Sequence, residues 1–253
     1  MGLRTGSFTA LPLALLLIAV AGCGNAPERQ GSEQQPSGSA DASKDSPGGQ
    51  GAVALRSAQG FAILAGSTVT STGATSLTGD VGVSPGTAVT GFPPGTLTGA
   101  IHASNSAAEA AMADLTTAYN DAAGRSEAPV AVDGNLGGRT LSPGLYKSTS
   151  SLSISSGDLT LEASGDPNAV FIFQVASTLT TSSGRAVVLS GGAKASNVFW
   201  QVGSSATLGT NSVFKGTIMA DQSISLNTGA TLDGRALARI GAVTLQGNAV
   251  VLP

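Results

Sequence analysis

Val170-Phe171-Ile172-Phe173-Gln174-Val175 is apolar on both sides of the strand it predicts, and Val198-Phe199-Trp200-Gln201-Val202 is built the same way. A strand of that kind must be covered on both faces. The cover lies upstream. Ser104 to Ala123 is rich in alanine and contains neither Gly nor Pro. Within it Ala108, Ala111, Met112, Leu115, Ala118, Tyr119 and Ala122 recur at i, i+3, i+4 spacing and form one apolar stripe. Gly124 fits the stop. The pattern predicts one amphipathic helix over 104–123, resting on the two aromatic strands.

Away from these segments the chain alternates small hydroxyl residues with aliphatics. Ser151-Leu152-Ser153-Ile154-Ser155 is one case, Thr178-Leu179-Thr180 another and Val243-Thr244-Leu245 a third. Leu159 and Leu161 flank Thr160, and Ile224 and Leu226 alternate with Ser223, Ser225 and Asn227. A period of two with aliphatics inward is the mark of a half-buried strand. Turn signals fall between the runs, among them Ser84-Pro85-Gly86, Pro93-Pro94-Gly95, Ser142-Pro143-Gly144 and Asp166-Pro167-Asn168. Residues 53–253 are enough for one domain with a continuous core. Many short strands, one covering helix and no strict short repeat predict a mainly β protein, an irregular parallel β-solenoid in which each coil buries its aliphatics against the next. A β-sandwich is the alternative architecture.

Composition excludes much chemistry. Of 253 residues 35 are Gly, 11% are charged and 4% aromatic, and the formal net charge is −3. An acidic balance argues against nucleic acid, which needs a basic face. One His and one Cys exclude most metal sites, any disulfide framework and most His-dependent catalysis. Gly82-Val83-Ser84-Pro85-Gly86 matches the spacing of a nucleophile elbow. The residue after that Ser must give its N–H to an oxyanion hole, and Pro85 has none. Gly144-Leu145-Tyr146-Lys147-Ser148 lacks the adjacent Gly-Lys of a phosphate loop. His102 is expected to open the helix as a capping or surface residue. Asp80, Asp133, Asp158, Asp166 and Asp233 are scattered, mostly beside Gly or Pro, and show no calcium-loop spacing. Neither a cofactor nor an enzymatic activity is expected.

The first fifty residues carry an address. Arg4 precedes a nearly wholly apolar run from Phe8 to Val20, which has the length of a signal-peptide core and is short for a membrane span. The run ends in Val20-Ala21-Gly22-Cys23, which resembles the bacterial lipobox. This implies cleavage after residue 22, acyl chains on Cys23 and stable membrane anchoring through more than one chain. Gly24 to Ala52 has almost nothing to bury and reads as a disordered linker. A tether of that size spans roughly 30 Å. The expected organisation is a lipoprotein signal peptide over 1–22, a lipidated Cys23 and linker over 23–52, and one folded domain over 53–253. Gly24 in place of an Asp favours the outer membrane or cell surface.

Rows of Thr and Ser remain, and the tetrapeptide Thr-Gly-Ala-Thr occurs at both 72–75 and 228–231. Longer stretches accompany them. Phe61-Ala62-Ile63-Leu64-Ala65-Gly66-Ser67-Thr68-Val69-Thr70 leads into the first copy. Gly79-Asp80-Val81-Gly82-Val83-Ser84-Pro85-Gly86 follows it, Thr140-Leu141-Ser142-Pro143-Gly144-Leu145-Tyr146 lies downstream, and Gly229-Ala230-Thr231-Leu232-Asp233-Gly234-Arg235-Ala236-Leu237-Ala238 contains the second. In this order, over residues 60 to 248, they resemble the microbial ice-binding (antifreeze) proteins, whose discontinuous β-solenoid lies beside a long helix.

The resemblance implies a right-handed parallel solenoid of triangular section, with the N-terminal coil docked beside the C-terminal coils. That docking would make the two tetrapeptides neighbours. It also implies a flat Thr/Ser-rich β face that adsorbs to ice and restrains its growth and recrystallisation. Carried over by position, Thr72, Thr75, Thr228 and Thr231 are the primary ice-contact candidates, with Thr207 and Ser225 behind them. The helix and the two aromatic strands should lie away from ice. The expected partners are an ice surface and, through Cys23, a membrane; the protein is expected to act as a monomer. A cell-surface adhesin that binds glycan or a partner cell is the alternative, although the groove or aromatic platform it needs is not found in the sequence. A polysaccharide-degrading β-helix would need a carboxylate cluster, and that is not found either.

Overall fold

The computed structural model describes Gly2 and residues 49–253. The chain divides between Ala40 and Asp41, and the unit Asp41–Pro253 carries everything that follows. Cys23, the signal segment other than Gly2, and the linker as far as residue 48 lie outside the described residues.

The alternating segments fold into parallel strands that stack into three faces. One face runs from Val130–Ala131 through Gly144–Ser148, Phe171–Val175 and Val198–Val202 to residues 217–220 and 235–238, then Phe61–Ala65, Asp80–Val83 and Ile101–Ala103. Its strands are the apolar ones. Inward, Tyr146, Phe173, Trp200 and Phe214 form an aromatic ladder through the core, with ring centroids 5.1, 3.9 and 5.1 Å apart. The Trp200 indole N–H donates to Lys215 O at 3.0 Å, so the one polar atom of that ring is satisfied. Outward, Leu145, Ile172 and Phe199 stand in register, as do Met219, Leu237 and Leu64 beside them.

The helix α1 (Ser106–Gly124) covers these outward residues with Ala111, Leu115, Ala118, Tyr119 and Ala122. It starts two residues later than the pattern predicts. Its cap is Asn105, whose side chain accepts from Ala108 N. His102 does not open the helix; it sits on the strand Ile101–Ala103. Its ring lies 5.3 Å from Phe61, with Nε2 3.6 Å from Asp80. At the other end Gln174 reaches up from its strand and donates to Ala122 O, Ala123 O and Arg125 O, taking up carbonyls that the helix leaves unpaired.

The strands Val213–Ala220 and Thr231–Ala238 each turn a corner of the solenoid at a glycine, Gly216 (φ +105°) and Gly234 (φ +153°). Their first halves join the third face, with Ala249–Val251, Ser76–Thr78 and Thr96–Leu97 on one side. On the other side the Ala186–Val213 bridge leads to Val187–Ser190, Leu159–Glu162 and Thr140–Leu141. The N-terminal coil docks on the C-terminal coils on every face: Ile63 pairs with Ala236, Thr70 with Thr244 and Leu77 with Val250. Chain order and stacking order therefore differ.

Packing begins before residue 53. Gln50 is buried and donates to Glu127 O, and Arg125 holds the carbonyls of Gly51 and Ala52. Val53, Leu55 and Ala58 then fill the groove beside the helix, and Asp114 accepts from both N and Oγ of Ser57.

Candidate functional site

The second face is a sheet of eight parallel strands: Ala88–Thr90, Thr68–Thr72, Val243–Gln246, Ile224–Leu226, Ala206–Leu208, Leu179–Thr181, Leu152–Ile154 and Gly134–Asn135, in that spatial order. Five of the eight are three residues long, and Leu152–Ile154, Ala206–Leu208 and Ile224–Leu226 are apolar at both ends and polar in the middle. The ends point into the core and the middle residue points out. The register is unbroken. Thr90, Thr70, Thr244, Ser225, Thr207, Thr180, Ser153 and Asn135 form one outward file across the whole sheet. Parallel strands space such a file about 4.8 Å apart. No Asp, Glu, Lys or Arg occurs in any of the eight strands.

The neighbouring rows are of the same kind. In the row beside the file Thr178 Oγ1 donates to Ser151 Oγ at 2.8 Å, and within the file Thr244 Oγ1 donates to Ser225 Oγ at 3.1 Å. The hydroxyls tied in this way keep fixed orientations. The third face is different in kind: Lys215 and Asp233 form an ion pair at 3.2 Å in its middle, and Val188, Val213 and Val251 project from it. The helix side is covered. Among the described residues, no three His, Cys, Asp or Glu side chains gather where they could hold a metal ion.

The six residues singled out from the sequence are distributed unevenly. Thr207 and Ser225, ranked behind the others, lie at the centre of the outward file. Thr72 is exposed at the end of its strand, and its hydroxyl donates to Leu245 O at 3.2 Å. Thr228 is exposed at the adjoining corner and donates to Gln246 Oε1 at 3.0 Å. Thr231 has already turned the corner onto the third face, two residues before Asp233. Thr75 is 1% exposed and cannot touch a surface.

The two identical tetrapeptides thus behave differently, and the register explains why. Gly229 N–H donates to Gln246 O and Gly247 N–H to Thr72 O, which lines up Gly229, Gly247 and Gly73, all with positive φ. Beyond them Thr231 pairs with Ala249, and Ala249 with Ser76. The turn at the first copy is one residue longer, from Gly73 to Ser76 against Gly229 to Thr231; the exposed Ala74 takes the extra place, and Thr75 fills the buried position held by Ala230 in the second copy.

Thr70, Thr90, Thr180, Thr244, Ser153 and Asn135 complete the file without having been singled out. For Thr244 and Ser153 the signal was present as the polar centre of an apolar-polar-apolar triplet, Val243-Thr244-Leu245 and Leu152-Ser153-Ile154; Thr70, Thr90, Thr180 and Asn135 have a polar residue or a glycine on one side. Reading it required knowing that the triplets stack on one face.

A solenoid whose one uncovered, uncharged face is a regular array of hydroxyls has the architecture of proteins that bind an extended, ordered surface: the outward file repeats from strand to strand across the whole sheet. Comparison with known proteins places it further: residues 63–251 match the family described as Ice-binding-like, and the chain belongs to that family. An ice-binding protein of Nostoc sp. (strain HG1) is 49% identical over 197 residues, 78% of this chain and 72% of its own. One from Flavobacterium frigoris (strain PS1) is 41% identical over 217 residues, 79% of this chain and 76% of its own. The crystal structure of an ice-binding protein from an Antarctic biological consortium superposes with a TM-score of 0.80 at 60% identity, covering 81% of this chain and 92% of that one. These relatives are named as ice-binding proteins and not as enzymes.

Proposed function

We propose that the protein binds ice through the eight-stranded hydroxyl face, and that it does so at the cell surface as a lipoprotein held by Cys23. The observation that carries the ice reading is the unbroken file from Thr90 to Asn135 in a sheet without a single charge. Ice presents water at fixed positions, so a complementary surface must present its groups at fixed positions too. Backbone ladders on both sides of each interior strand fix the hydroxyls here. Methyl groups limit the orientations open to neighbouring water, and hydroxyls hold ordered water by hydrogen bonds at little enthalpic cost. A surface that is already rigid loses little entropy when it binds. A charge would bind water in its own radial geometry, and the face has none. The membrane reading is supported by Val20-Ala21-Gly22-Cys23 and the polar tract that follows it.

Lysine at two positions tests the face. Thr207→Lys puts a cation at the centre of the file without touching the core, and it should abolish partition into growing ice and thermal hysteresis. Thr231→Lys adds the same charge beside an existing ion pair on the third face, and it should keep both. Equal activity of the two variants would show that the hydroxyl sheet is not the contact surface. Binding to a glycan array without partition into ice would favour the adhesin.

A further inference from the structure

Behind the hydroxyl face, at its corner with the third face, lies a buried polar cluster that the contact surface does not use. Asn248 is 2% exposed, Thr75 1% and Ser71 5%. Asn248 sits between two coils. Its Nδ2 donates to Asn227 O at 2.8 Å and Ala230 O at 2.9 Å, and its Oδ1 accepts from Gln246 N at 2.5 Å. On its other side its backbone N–H reaches Thr75 Oγ1 at 3.4 Å, and Ser71 Oγ donates to the same oxygen at 2.8 Å. Ser71 is the inward neighbour of Thr70 and Thr72 on the strand Thr68–Thr72.

The cluster thus joins three coils. Two of them, residues 227–230 and 246–248, belong to the C-terminal stack. The third, residues 71–75, belongs to the N-terminal coil, which chain connectivity does not hold in place: Val69 and Val243 are far apart in sequence and pair only by docking. The buried apolar pattern excludes a one-residue slip, which would turn every side chain over, but a two-residue slip keeps that pattern and re-forms the ladder, whereas a buried side chain with directional bonds to both neighbours fits one alignment.

We infer that Thr75, with Ser71 and Asn248, is a positioning element for ice binding: it sets the N-terminal strands so that Thr70 and Thr90 continue the file of Thr244, Ser225 and Thr207. Thr75 acts from behind the surface and never touches ice. The inference rests on the reading that this face binds ice.

Thr75→Val keeps the shape of the side chain and removes the oxygen on which Ser71 and Asn248 converge. Hysteresis measured just below 0 °C, on protein whose circular dichroism shows it folded, should fall by roughly half or more, since surface groups loosen once the side chains that brace them from behind are removed. Thr75→Ser restores the oxygen and should restore the activity. A purely structural role would weaken every part of the face alike, so two partner substitutions separate the cases. Thr70→Ala should cost less in the Thr75→Val background than in the natural protein, because Thr70 is already out of line. Thr180→Ala, at the far side of the face, should cost the same factor in both.

Full hysteresis in Thr75→Val, with Thr207→Lys inactive, would overturn the positioning role and leave the face reading intact. Equal coupling of Thr75→Val to Thr70 and Thr180 would overturn it too. Full activity in Thr207→Lys would remove the face reading and this inference together. Should Thr75→Val fail to fold, Ser71→Ala removes one donor of the same cluster and is read by the same coupling.

Discussion

A residue's letter decides little here until its register is known. Thr75 and Thr231 close identical tetrapeptides, yet one is buried and the other has left the candidate face, because Ala74 adds one residue to the first turn. A period-two chain reverses every side chain with a one-residue slip. Corners are equally exacting. A Cβ on Gly234 would lie 1.9 Å from Gly216 O, and its φ of +153° disfavours any side chain. Gly234→Ala should therefore destabilise the domain by about 2 kcal/mol, seen by calorimetry as a fall in Tm of roughly 4–8 °C. An unchanged Tm would mean that the corner can open, and that the two long strands are less tightly stacked than their ladder indicates.

At the scale of elements, three-residue strands are stable only as parts of a stack, and the segments outside the stack have to be tied down separately. The helix was legible from its apolar stripe, which gave its length and its buried side. Its cap was not, because His102 and Asn105 both stand before the stripe, and the strand Ile101–Ala103 claims the first of them. The segment before residue 61 is tied by Asp114, which accepts from the Ser57 hydroxyl and N–H with Arg56 nearby; these hold its carboxyl below the usual Asp value. A carboxyl lowered on folding adds stability that is present above its unfolded pKa of about 3.9, and that stability is lost as pH falls through the folded value. Acid should accordingly loosen this segment: proteolytic cutting near Arg56 should rise below about pH 4, and Asp114→Asn should remove most of that pH dependence. A cutting rate indifferent to both would exclude Asp114 as the tie.

At the scale of the molecule, three faces have three surroundings: one takes the helix, one carries charges and exposed valines, and one is left uncharged and regular. Residues 50–52 pack against the C-terminal end of the helix, away from the hydroxyl face. On the proposed anchoring, Cys23→Ser should move the protein from the membrane fraction to the soluble fraction while ice partition of the purified protein stays unchanged. A protein that stays with the membrane after that change is held by something other than acyl chains on Cys23.

By itself the sequence determined the period of each strand, the apolar stripe of the helix and the two-sided aromatic strands that need a cover, because these follow from local alternation and burial. It also held the polar centres of the triplets, including Thr207 and Ser225. Only the tertiary structure decided which triplets share a face, that Thr75 turns inward, that Thr231 has rounded the corner, and that the first coil lies beside the last. Those facts depend on pairing between strands distant along the chain, where one bulged residue exchanges core for surface without changing the local pattern.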